Sequence, residues 1–171
     1  SAPDASPSAI NGAGTVVVLE GGRFYKGIID IDRVGRGAAG IDGTQLTGNQ
    51  PNEHLGFSLA GGGDNIADGD PDLLVGAPGY NADAGRIVQS SFRMSKGIID
   101  IDRVGMVGTT GLNGRIWIGE RPGDRLGAAL AGLGDVTDDG LDDVAFGAPF
   151  YDPVTGLAPG SLTDAGMVYI V

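Results

Sequence analysis

Acidic residues recur at one fixed spacing in two short segments. These are Asp64-Asn-Ile-Ala-Asp-Gly-Asp-Pro-Asp72 and Asp135-Val-Thr-Asp-Asp-Gly-Leu-Asp-Asp143. Each puts a carboxylate at loop positions 1, 5 and 9 and a glycine at position 6. Carboxylates crowded on a short loop repel one another. Two unit charges ~4 Å apart interact by about 1 kcal/mol even in bulk water, and by more near a protein surface. A cation among them removes that cost, and hard oxygen donors on a tight turn suit calcium. Glycine at the sixth position lets the loop reverse at little steric cost. Both loops run into an apolar stretch that ends in Gly-Ala-Pro, at Gly76-Ala77-Pro78 and Gly147-Ala148-Pro149.

Other groupings that could do chemistry give way to plainer roles. Gly35-Arg-Gly-Ala-Ala-Gly40 has dinucleotide-binding spacing, but no helical pattern follows it. The equivalent stretch, Gly105 to Gly111, loses the spacing. Gly56-Phe-Ser-Leu-Ala60 is one residue short of a nucleophile elbow, and Ala129 stands at the serine position in the second copy. His54 is the single histidine, and nothing places it beside Ser58 with an orienting acid. No convergent acid–base pair is assignable, so the chain reads as a non-enzyme. Asp30/Asp32 and Asp100/Asp102 alternate with isoleucine, which on a strand puts both carboxylates on one exposed face. Trp117 and Tyr169 are expected to pack between structural units.

The loops sit inside a long internal repeat. Lys26-Gly-Ile-Ile-Asp-Ile-Asp-Arg-Val-Gly35 recurs identically as Lys96 to Gly105, an offset of 70 that becomes 71 after one inserted residue. A ten-residue insertion near Asp152 to Ser161 then brings Gly85 onto Gly166. β-Branched and aromatic runs punctuated by Gly, Pro, Asn and Asp predict short strands. They cover Thr15–Leu19, Ile28–Asp32, Asp72–Val75, Arg86–Gln89, Arg115–Ile118, Asp143–Phe146 and Met167–Val171. No window carries a capped helical period. Thirty-three glycines and nine prolines indicate many turns, while 41% hydrophobic content argues against a disordered polymer. The net charge of −11 disfavours nucleic acid or an anionic membrane as a partner. Cysteine is absent, so no disulfide staples the fold. No apolar run approaches the length of a membrane span.

The order Leu-Gly, an Asp-rich loop, Gly-Ala-Pro and Gly-x-Val-Tyr resembles the FG-GAP repeat of integrin α-chain propellers. The likeness covers roughly residues 14 to 171, with bacterial long-repeat FG-GAP proteins as the nearest type. Leu55-Gly56 and Leu126-Gly127 stand where the family has Phe-Gly. The resemblance implies an all-β fold of FG-GAP/integrin-α-like β-propeller blades, about two four-stranded blades plus a partial one. It also implies Ca2+ ligands at Asp135, Thr137, Asp139 and Asp143 with the Leu141 carbonyl. In the first loop they fall on Asp64, Asp68 and Asp72 with the Asp70 carbonyl. Ile66 offers no side-chain oxygen at the position of Thr137, so the first site is expected to be weaker, or to recruit water or Asn65. Asp138 and Asp142 lie between ligand positions and are expected to face solvent.

This reading divides the chain into a Ser/Ala/Pro-rich arm or linker over 1–13, a partial blade plus the first repeat over 14–95, and the second repeat over 96–171. By repeat phase the chain begins and ends with the third strand of a blade, whereas propellers close with four to eight blades. The expectation is a calcium-stabilised, extracellular or cell-surface protein of structural or adhesive role. It would pair with other copies through open strand edges, giving an oligomer or fibre, the N-terminal arm reaching a neighbour. The alternative is a non-catalytic propeller segment of a larger secreted enzyme or adhesin that binds glycan or protein.

Overall fold

The computed structural model describes residues 1–2, 4, 10–19, 27–36, 40–91, 97–105, 112–153 and 163–171. Within them the chain is almost entirely β, in ten short strands. In order these are β1 (Thr15–Leu19), β2 (Gly43–Thr47), β3 (Ser58–Gly63), β4 (Asp72–Ala77), β5 (Arg86–Ser90), β6 (Gly97–Asp100), β7 (Gly114–Ile118), β8 (Ala129–Gly134), β9 (Asp143–Ala148) and β10 (Met167–Ile170). Three sheets form, ordered β1-β2-β6, β3-β4-β5-β7 and β8-β9-β10. The middle sheet is a four-stranded antiparallel blade. The third repeats its first three strands, and in the first, β1 and β2 repeat its last two.

The strands that β-propensity picks out are the outer ones. Two inner strands are not legible that way: β3 reads Ser-Leu-Ala-Gly-Gly-Gly and β8 Ala-Leu-Ala-Gly-Leu-Gly. Their composition has a steric cause. The two strands lie against each other, and a Cβ on Gly132 would meet the Gly61 carbonyl oxygen at 2.1 Å. Small residues let adjacent blades approach backbone to backbone. Each strand also breaks register just before its acidic loop, between Gly61 and Gly63 and between Gly132 and Gly134. Gly63 (φ 58°) and Gly134 (φ 69°) turn the chain into Asp64 and Asp135 through left-handed backbone.

The expected strand Ile28–Asp32 does not form. Ile31–Arg33 is a 3-10 helix, and so is its copy Ile101–Arg103, which follows β6 directly. The cause is local. The Asp30 carboxylate accepts from the Asp32 N–H at 3.2 Å, and Asp100 does the same for Asp102 at 3.1 Å. An Asp side chain that captures the amide two residues on competes with the strand ladder. The aspartate pairs therefore do not share one strand face.

At the N-terminus Ala2 pairs with Thr15 through two backbone hydrogen bonds, at 2.8 and 2.9 Å. Ala77 pairs with Arg86, and Ala148 with Met167, in the same register. Ser1-Ala2-Pro3 thus stands where the later units have Gly-Ala-Pro, and Ala2 lies on the edge of its own β1 rather than on a neighbour.

Two apolar clusters lie between the sheets. One joins Val16, Leu46, Leu55, Val75 and Val88 to Ile99, Ile101 and Val104. The other joins Ile87, Leu126, Phe146 and Ala148, with Trp117 and Tyr151 packed against them. They are the same cluster one repeat apart.

Candidate functional site

The acidic loops link β3 to β4 and β8 to β9, and both fold by the same rule. The Asp64 carboxylate accepts from the Asp68 and Gly69 N–H groups, each at 3.0 Å. Asp135 accepts from Asp139 at 3.1 Å and Gly140 at 2.9 Å. Asp68 then accepts from the Asp70 N–H, and Asp139 from that of Leu141. At loop position 9, Asp72 accepts from Asn65 and Ile66, and Asp143 from Val136 and Thr137. Acidic side chains at positions 1, 5 and 9 therefore hold the turn through its own amides. Among the described residues no three acidic or histidine side chains are grouped closely enough to hold a metal ion.

Support around the loops differs. Asp72 is buried and also accepts from the Gln89 amide at 3.1 Å. Gln89 in turn donates to Asn65 Oδ1 at 2.8 Å, so Asn65 is spent on the adjacent strand rather than on the loop centre. Two acceptors of this cluster, Asp72 Oδ1 and Gln89 Oε1, are buried with no hydrogen-bond partner. Burial pushes the Asp72 carboxyl above its ordinary value, against the opposing hydrogen bonds from Gln89, Ile66 and Asn65. Asp68 is tied outward to Ser91 and Asn113. In the second loop Val136 and Ile170 replace Asn65 and Gln89, and both are exposed. There the Thr137 hydroxyl lies 3.4 Å from Asp143 Oδ1. Buried carboxylate oxygens without a partner, on a loop of hard donors, fit a cation such as calcium.

Of the two intervening aspartates, Asp138 is exposed as expected. Asp142 is not simply solvent-facing: its carboxylate accepts from the Asp64 N–H at 3.2 Å, and its carbonyl accepts from the Asn65 amide. It bolts the second loop to the first.

The clefts between sheets carry a second set of polar residues, which sequence reading did not find. Between the first and second sheets, fully buried Glu53 takes Arg86 through both oxygens, at 2.8 and 3.0 Å. Arg86 also reaches Asp102 at 2.8 Å and lies 4.3 Å over the Tyr80 ring. Asn49 donates to Asp100 and Asp102. Burial raises the Glu53 carboxyl despite the opposing Arg86 charge. The available signal was an arginine opening an otherwise apolar strand. In the corresponding cleft one repeat on, Glu120, Asp124 and Met167 stand for Asn49, Glu53 and Arg86. Aromatics line it: Trp117 and Tyr169 flank Phe146 at 5.4 and 5.5 Å between ring centroids. Burial raises Asp124, and the Arg121 backbone N–H and charge oppose it.

The remaining side chains read for chemistry are structural. Ser58 donates to the Gly127 carbonyl at 2.6 Å, joining neighbouring blades. His54 faces Asp4 at 3.0 Å on the surface. No helix among the described residues is long and apolar enough to cross a membrane.

A sequence model of the FG-GAP repeat family matches residues 126–171. Integrin alpha-PS2 of Drosophila melanogaster is 37% identical over 115 residues, which cover 63% of this chain and 8% of the relative. Integrin alpha-7 of Homo sapiens is 30% identical over 129 residues, covering 74% of this chain and 10% of the relative. The chain thus spans about a tenth or less of the length of these curated relatives.

Proposed function

As an FG-GAP repeat protein of the integrin-α type, built of β-propeller blades, this chain is, we propose, a calcium-stabilised module of extracellular adhesion or structural assembly rather than an enzyme. The observation that carries the calcium reading is the repeated loop. Two nine-residue turns place Asp at positions 1, 5 and 9 on the same backbone, and Asp72 keeps a buried oxygen without a partner. Asp64, Asp68 and Asp72 with the Asp70 carbonyl would hold one ion. Asp135, Thr137, Asp139 and Asp143 with the Leu141 carbonyl would hold the other. The ion would neutralise carboxylates and brace the turn between two strands. It has no partner base or nucleophile, so its role is structural.

Adhesive function rests on the integrin α relatives, whose extracellular setting is carried over to this chain. Assembly rests on strand edges that the described residues leave open, above all β10, whose residues are all exposed. A strand added there by another chain, copies of this one included, would extend a blade. The small share of the relatives that the chain spans supports a second reading, a propeller segment within a longer secreted or surface protein. Calorimetric titration with calcium, paired with melting in chelator, tests the metal. Heat of binding and a melting temperature lowered by chelator are expected, and an unchanged melting temperature would reject the structural ion. Sedimentation across micromolar concentrations tests assembly, a compact monomer throughout being the result that rejects it.

A further inference from the structure

The two clefts between sheets are built from equivalent residues, but one is filled and the other is open. In the filled one, β6 adds to the outer edge of β2 in parallel, with Ile99 opposite Leu46. Ile99, Ile101 and Val104 enter the apolar cluster there. Asp102, at the end of that segment, meets Arg86 and Asn49. One repeat on, β7 carries Trp117 at the place of Leu46, and β7 is the last strand of its sheet. The second cluster holds no counterpart of Ile99, Ile101 or Val104 among the described residues. A cleft of about 240 Å³ remains, lined by Trp117, Leu126, Phe146, Tyr169, Glu120 and Asp124 among others. The strand beside it shows the same vacancy: Val168 of β10 is 69% exposed, whereas its counterpart Ile87 in β5 is fully buried.

The open cleft is not a copy of the filled one in charge. Arg86, which neutralises Glu53 and Asp102, has become Met167, and neutral Asn49 has become Glu120. Arg121 replaces Gln50, but its guanidinium donates outward to the Asp152 carbonyl. A segment ending in aspartate would set a third carboxylate beside Glu120 and Asp124 with no arginine to meet it. Like charges brought together in a partly desolvated site are a specificity device as strong as any attraction.

We propose that the cleft between β7 and β10 is a docking seat for an extended segment of another protein chain, apolar where Ile99 and Ile101 stand and carrying lysine or arginine where Asp102 stands. The segment adds to β7 in parallel, buries its apolar residues against Trp117 and Phe146, and pairs its cation with Asp124 and Glu120. Gly27–Val34 of a second copy has the right apolar spacing, and Ile28 is 100% exposed, but its Asp32 has the wrong sign. The inference rests on the open-edge reading above and narrows it to one chemistry.

Trp117 is the single tryptophan and lines the cleft, so its fluorescence reports occupancy. The full 171-residue chain is titrated with three peptides: residues 27–34 as they stand, the same segment carrying D32K, and a control with that lysine exchanged with its neighbouring isoleucine. The D32K peptide should bind at least tenfold more tightly than the other two. In the Met167→Arg chain the preference should invert, since Arg86 is recreated and the unmodified segment finds its partner. Equal binding of all three peptides, preference of the wild-type chain for the unmodified segment, or no change in Trp117 emission with any of them would overturn the proposal. Sedimentation of the chain alone separates this from the broader reading. A self-associating chain with no preference for lysine keeps assembly and loses this seat. A monomer that binds the D32K peptide keeps the seat and loses self-assembly.

Discussion

The two repeat units share a backbone and differ in what is packed beneath it. In the first, the acidic loop rests on Asn65, Gln89 and Asp72, and the adjacent cleft is closed by Glu53, Arg86 and Asp102. In the second, Val136, Ile170, Asp124 and Met167 take those places, and β10 is exposed along its whole length. Turn geometry is therefore set within nine residues of local sequence, because the carboxylates bond amides four to seven positions away. Rigidity is set by partners that sit across strands. One local design can be mounted on either a polar, filled support or an aromatic, open one.

The widest gap between the units should appear when that support is cut. Arg86→Ala leaves Glu53 buried with its cation gone and Asp102 without its guanidinium. Breaking a buried pair by removing one partner costs about 3–5 kcal/mol, because a charge is left uncompensated. Met167→Ala, at a half-exposed edge with no charge beneath it, should cost about 1 kcal/mol or less. Urea unfolding of both variants checks the difference, and comparable losses would show that the two supports are equivalent after all.

Next in size is the ion. Calcium at a hundredfold excess over its dissociation constant should add about 2.7 kcal/mol per site by mass action. Asp139→Ala removes a proposed ligand and the cap on the Leu141 amide together. Asp138→Ala removes neither, since Asp138 is exposed and lies between ligand positions. The first should abolish the calcium-dependent rise in melting temperature at its loop and the second should leave it. Equal losses would reject the assignment of loop positions.

What was legible in the sequence follows the same division between local and distant. The spacing of Asp64 to Asp72 and of Asp135 to Asp143 names the loops, because Asp and Gly act on their own neighbours. The runs at Thr15, Arg86, Arg115 and Met167 name strands, because β-branched side chains pack on a pleated surface. β3 and β8 were hidden because their glycines answer to the adjacent blade, not to strand propensity. Ile28–Asp32 misled because its alternation imitates a strand, while Asp30 captures an amide and turns the chain. The Glu53–Arg86–Asp102 group joins residues 16 and 33 positions apart, and no spacing rule links them.

A smaller effect concerns the third loop position. Ile66 and Thr137 both donate their N–H to the position-9 carboxylate, but only Thr137 adds a hydroxyl. Ile66→Asn should tighten calcium at the first loop about tenfold, which is about 1.4 kcal/mol. Thr137→Val should loosen the second loop by a similar factor. Site-resolved titration that found the first loop tighter than the second in the unaltered chain would mean that its buried support outweighs the missing ligand.

The smallest effect expected is a slope in pH, and it separates the two clefts by sign. Burial raises both Glu53 and Asp124 above their ordinary values. A carboxyl that holds its proton more tightly folded than unfolded makes the native state the better proton binder. Stability then falls as pH rises from the ordinary value, 3.8 for Asp124, through the raised one, and is level above it. Asp124→Asn removes that charge without stranding a buried arginine, since Met167 stands where Arg86 would be. The variant should gain on the wild type across that window and keep the gain at neutral pH. Glu53→Gln also removes a raised carboxyl, yet it takes the partner from Arg86, which is 1% exposed. That variant should be less stable than the wild type at neutral pH, where Glu53 is charged and paired. Melting curves of the two variants from pH 4 to pH 7 check both signs. If Asp124→Asn lost stability as Glu53→Gln does, Asp124 would have to be neutralised by a cation in the open cleft, and the contrast between the two supports would fail there.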